Sequence, residues 1–203
     1  MLQMKLTGEE RAVIKILQEA GLLHCMDRQH FINEKKEDVV IVSCSDGRQF
    51  LRGIAIPFMK MYDETKEIAF HPLTRHGGTL ILGENSPLVP QGSTMVEDLV
   101  REFDEAVKWG YGVCCLIGHI PCGKAREHEI HPLHVVDSIM ASKRTLKKQQ
   151  GENVSIACFL QIADGGAWRD IFRIPYTDYL SWRDIHTDTV IDKMIEEMKP
   201  SCE

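Results

Sequence analysis

Two hydrophobic patterns alternate along this chain. Val13, Ile14, Ile16, Leu17 and Ala20 recur at the spacing of one helix face, and Gly21 supplies a stop. Thr7 and Glu10 precede them three positions apart, so each side chain can cover a free amide at the helix start. Residues 39–42 (Val-Val-Ile-Val) follow the other pattern, an unbroken β-branched run that predicts a strand buried on both faces of a parallel sheet. The segment 49–63 is apolar but broken by Gly53 and Pro57, and it supports neither period. A second strand is expected to begin at residues 68–70 and to end in Arg75-His76-Gly77-Gly78, and the Pro-containing stretch 83–92 reads as a loop.

The second half repeats the alternation. Ser93 or Thr94 caps an amphipathic helix whose stripe is Val96, Leu99, Val100, Phe103, Ala106 and Val107. Residues 112–117 (GVCCLI) form the next buried strand, and residues 134–149 a helix. Residues 154–163 and 171–174 flank Asp164-Gly165-Gly166 as two strands about a turn, and a last helix spans 187–198. Strands alternating with helices predict an α/β fold with a mainly parallel central β-sheet flanked by helices. The 203 residues suit a single domain, with 1–38 as an N-terminal helical arm and 186–203 as a C-terminal helix.

Composition narrows the functional classes. A net charge of −6 gives no basic face for nucleic acid. No apolar run reaches the length of a membrane span, and the first residues lack the apolar core of a signal peptide. Seven cysteines, an odd number, point to a reducing cytoplasmic setting in which thiols are available for metal.

Chemistry in such sheets collects beyond the carboxyl ends of strands. Two segments are placed there: Cys44-Ser45-Asp46-Gly47-Arg48 and Gly118-His119-Ile120-Pro121-Cys122-Gly123. His119 and Cys122 offer an imidazole nitrogen and a thiolate on one turn, a mixture zinc accepts, and Cys44 can join them if the two strands are neighbours. Three protein ligands leave a fourth position for water or substrate. Asp46 is placed to accept a hydrogen bond beside the metal or to bind it, and Arg48 to hold that carboxylate ionised through a two-pronged pair.

Cys-x-Asp-x-Arg followed by Gly-His-x-x-Cys-Gly resembles the signature of the β-class carbonic anhydrases, and Arg75-His76-Gly77-Gly78-Thr79 resembles that family's backbone wall near the site. The resemblance implies a β-carbonic anhydrase-like domain with one Zn2+ per subunit, held by Cys44, His119 and Cys122. It makes Asp46 and Arg48 the catalytic pair, with Asp46 a fourth ligand in a closed state. Gly77, Gly78 and Gly123 then border the substrate pocket. It also implies a homodimer or an oligomer of dimers. The activity implied is reversible hydration of carbon dioxide to bicarbonate by a zinc-bound hydroxide. The alternatives are a hydrolase of carbon disulfide or carbonyl sulfide on the same scaffold, or a zinc-binding homologue without catalysis. Departures from the family pattern fall at His76, Thr79, Ile120 and Pro121.

Other signals are weaker. Residues 118–125 approach a phosphate-binding loop, but Ala125 stands where a magnesium-binding hydroxyl belongs. His128, His131 and His134 are three apart, with Pro132 between them. His71 and His76 are expected in the strand-end loop. Cys114, Cys115 and Cys158 sit in apolar runs and read as core, and Trp168, Tyr176, Tyr179 and Trp182 as packing or a subunit contact.

Overall fold

A computed structural model describes residues 4–25, 38–45, 69–83, 86–164 and 169–198. The capping residues at 7 and 10 do what their spacing predicts. Glu10 N donates to Thr7 Oγ1 at 3.1 Å and Thr7 N donates to the Glu10 carboxylate at 2.8 Å, starting helix α1 (Gly8–Glu19). The apolar face of α1 is buried in the main core, so this part of the N-terminal region packs on the body of the domain. A two-residue strand, β1 (His24–Cys25), follows.

Strands β2 (Val39–Cys44) and β3 (Phe70–Arg75) come next, then a single helical turn α2 (Thr79–Leu82) and the amphipathic helix α3 (Met95–Lys108). Strand β4 (Val113–Ile120) leads into the short helix α4 (Gly123–Glu127) and the long helix α5 (Pro132–Gln150). The chain ends with β5 (Ser155–Ala163), β6 (Arg169–Arg173), α6 (Tyr176–Ile185) and α7 (Asp188–Glu197).

The strands form one sheet in the order β1-β6-β5-β4-β2-β3. The four from β5 to β3 are parallel, while β6 runs antiparallel to β5 and to β1. Alternation divides the buried residues between the two faces. Val40, Val42, Cys114, Leu116, Cys158 and Leu160 share a core with Leu17 of α1, Phe103 of α3 and Ile139 of α5. Val39, Ile41, Cys115, Ile117, Phe159 and Ile171 form a smaller cluster on the opposite face. Cys114, Cys115 and Cys158 are buried, as their apolar runs predict.

The α/β reading and the parallel sheet hold. Four short elements, β1, α2, α4 and α6, were not foreseen, because each is too short or too mixed to show a period. β4 also runs to residue 120, beyond the expected end at 117. Its last residues keep pairing with β5, His119 opposite Gln161 and Ile120 opposite Ile162. The segment 49–63 and Trp168 lie outside the described residues.

Candidate metal centre

From β2 the chain crosses to β3 on one side, then returns past β2 to place β4 on the other. The sheet order therefore reverses between β2 and β4, and the crevice beyond their carboxyl ends is where open α/β sheets bind ligands. Cys44 is the last residue of β2, His119 lies in the last turn-facing part of β4, and Cys122 is the N-cap of α4. All three are buried.

The two thiols meet. The Cys122 thiol is pushed up, first by the hydrogen bond it shares with the Cys44 side chain and then by burial, while the amides of Ala125 and Lys124 at the start of α4 pull it down. That is the arrangement expected of two buried sulfurs sharing a proton in a place where a cation could replace it.

His119 brings the matching nitrogen. Its Nδ1 lies 2.9 Å from the Pro121 carbonyl oxygen, which can only accept, so Nδ1 carries the proton and donates. Nε2 is left as a bare lone pair in the neutral ring. Among the described residues it has no hydrogen-bond partner, and it is closed off from solvent. A backbone acceptor on one ring nitrogen and a free lone pair on the other is the tautomer metal-binding histidines use.

Among the described residues, no three His, Cys, Asp or Glu side chains are set to hold a metal ion together. Ser43 pairs with Ile117, so Cys44 follows on the face opposite to the one that Ile117 and His119 share. The donor set nevertheless fits zinc in kind, with two thiols in contact and one buried imidazole lone pair at the same strand ends. Asp46 and Arg48 lie outside the described residues.

Gly78 is packed against Cys44, and its neighbour Gly77 against the Leu88 side chain. A Cβ on Gly78 would sit 2.4 Å from the Cys44 nitrogen and 2.6 Å from the Ser43 carbonyl carbon, at a φ of +54°. Only glycine lets this turn approach the end of β2 so closely. Beside it, His76 Nδ1 lies 3.1 Å from Ser45 Oγ, which joins the turn to the residue after Cys44. Gly123 is exposed at the start of α4.

His71 falls elsewhere than expected. It is the second residue of β3, far from that strand's carboxyl end, with its ring against Trp109 and Tyr111. His128, His131 and His134 line a separate cavity of about 600 Å³ between α2, α5 and α6. Gln161 drew no notice in the sequence. It is fully buried on β5 beside His119, and neither end of its amide has a hydrogen-bond partner among the described residues. A glutamine inside an apolar strand is the signal that could have found it.

No family model matches the chain, and no curated protein does. Solved structures similar to it include two β-carbonic anhydrases. One is the β-carbonic anhydrase CafD of the filamentous fungus Aspergillus fumigatus, at 9% identity and a TM-score of 0.47, covering 75% of this chain and 99% of that one. The other is the β-carbonic anhydrase CcaA, at 10% identity and a TM-score of 0.41, covering 82% of this chain and 83% of that one.

Proposed function

We propose that this chain is a zinc-dependent carbonic anhydrase, catalysing the reversible conversion of carbon dioxide and water to bicarbonate and a proton. The observation that carries the reading is the donor set at the β2–β4 crevice: two buried thiols in contact, and a buried imidazole whose Nδ1 is occupied and whose Nε2 is free. Cys44, Cys122 and His119 would hold the ion, and zinc supplies a Lewis acid that brings the pKa of a coordinated water from about 16 towards about 7.

The chain's own groups have distinct tasks. The Pro121 carbonyl keeps the His119 proton on Nδ1 and so keeps Nε2 directed to a metal. The amides of Lys124 and Ala125 favour the ionised sulfur of Cys122. Gly78 brings a backbone wall against Cys44, an approach that a side chain there would block. Asp46, following Cys44 by two residues, would orient the attacking oxygen by accepting a hydrogen bond from it. Arg48 would keep that carboxylate ionised. The working form is a homodimer or an oligomer of dimers in a reducing cytoplasm. Among the described residues no helix is long and apolar enough to cross a membrane.

Stopped-flow hydration of carbon dioxide by zinc-loaded protein tests this, read near pH 7 and pH 9. Wild type should turn over, and Asp46→Asn should keep zinc while losing at least about 100-fold in kcat. No hydration at either pH, or a fully active Asp46→Asn enzyme, would sink the proposal.

A further inference from the structure

Three side chains at the carboxyl end of one sheet face hold buried polar atoms with no hydrogen-bond partner. They are Ser43 Oγ on β2, His119 Nε2 on β4, and both Nε2 and Oε1 of Gln161 on β5. Register puts them on one face of the sheet, with His119 and Gln161 adjacent. His119 and Gln161 are direct partners across β4 and β5, and Ser43 pairs with Ile117, two residues before His119 on the same face. The buried hydrophobic cluster on that face is made by Val39, Ile41, Cys115, Ile117, Phe159 and Ile171.

Such a row is costly for folding alone, since each buried group without a partner loses its hydration and gains nothing back. Zinc would satisfy His119. It offers nothing to a primary amide on the next strand, which presents one donor and one acceptor side by side. A leucine would fill nearly the same volume with no loss.

We infer that Gln161 is a binding residue for hydrogencarbonate at the proposed zinc site, pairing with the edge that carries both a hydroxyl and a second oxygen. Its Nε2–H donates to an anion oxygen while its Oε1 accepts from the anion's O–H. This two-point contact matches hydrogencarbonate and is denied to a planar anion with no proton to give. The inference rests on the proposed function for the identity of the ligand, and its test reads binding separately from turnover.

Dissociation constants of sodium hydrogencarbonate and sodium nitrate, measured by thermal shift at constant ionic strength on zinc-loaded protein, provide that test. Nitrate has the same shape and charge without the O–H. Wild type should bind hydrogencarbonate about tenfold more tightly than nitrate, and Gln161→Leu should erase the difference while raising the Tm of the ligand-free protein by several degrees. Gln161→Glu, which keeps an acceptor but adds a negative charge, should weaken both anions. Zinc content should be unchanged in both variants.

Equal preference for hydrogencarbonate in wild type and Gln161→Leu overturns the inference, as does a wild type that does not distinguish the two anions. A wild type that hydrates carbon dioxide while Gln161→Leu binds as it does refutes this inference alone. Selective, Gln161-dependent binding without hydration refutes the proposed activity alone.

Discussion

Gly78→Ala is the substitution whose effect the structure prescribes most closely. Gly78 has φ +54° and ψ −121°, a backbone conformation essentially reserved for glycine. Forcing alanine into it costs about 1–3 kcal/mol. The added Cβ would also lie 2.4 Å from the Cys44 nitrogen, 2.6 Å from the Ser43 carbonyl carbon and 2.9 Å from the Cys44 Cα. These are backbone atoms of a strand paired on both sides, so no side chain can swing away. Overpacking of this kind adds about 1–3 kcal/mol.

Together the two effects come to about 4 kcal/mol, or a fall in Tm of about 8–16 °C for a chain of this size. Gly92→Ala is the control. Its φ is +77° but nothing lies within 4 Å of its Cβ position, so it carries the backbone strain without the clash. Differential scanning calorimetry should place Gly78→Ala well below Gly92→Ala. Zinc affinity should fall only in the former, because relief of the clash displaces Cys44. A Gly78→Ala protein no less stable than Gly92→Ala would refute the close approach of this turn to β2.

Atomic absorption after dialysis should find about one zinc per wild-type chain, and far less in His119→Ala and Cys122→Ser. Cys25→Ser, at an exposed position, should retain it; equal zinc in all four proteins would remove these ligands from consideration. Tyr179 is fully buried and its hydroxyl donates to Asp137 Oδ1 at 2.8 Å. Tyr179→Phe should lose about 2 kcal/mol in urea denaturation, and a loss under about 0.5 kcal/mol would contradict the geometry. Arg11 pairs with Asp164 and holds its carboxyl below the ordinary carboxylate range through a hydrogen bond at 2.7 Å. A depressed folded-state pKa gives stability that is present above the unfolded value of about 4 and is lost as the pH falls through the lower folded value. The stability gap between wild type and Arg11→Ala should therefore be open at pH 6 and closed near pH 2; a gap independent of pH would show the pair contributes by packing alone.

The long elements were legible because their residues declare a period. α1 carries its own capping pair, α3 an unbroken apolar stripe, and β2, β4 and β5 runs too apolar for anything but a buried strand. The short ones were not, since a four-residue turn such as α2 exists through its neighbours: the Thr79 carbonyl accepts from Ser142 of α5.

By itself the sequence determined the α/β class, the two strand-end segments, and the residue types that can bind a soft cation there. These are local properties of spacing and side-chain chemistry. Tertiary structure decided what sits next to what. It placed β2 beside β4, brought the Cys44 and Cys122 sulfurs into contact, set the His119 tautomer through Pro121, and laid Gln161 beside His119. Strand order and register arise from packing among residues distant in sequence, and no window along the chain contains them.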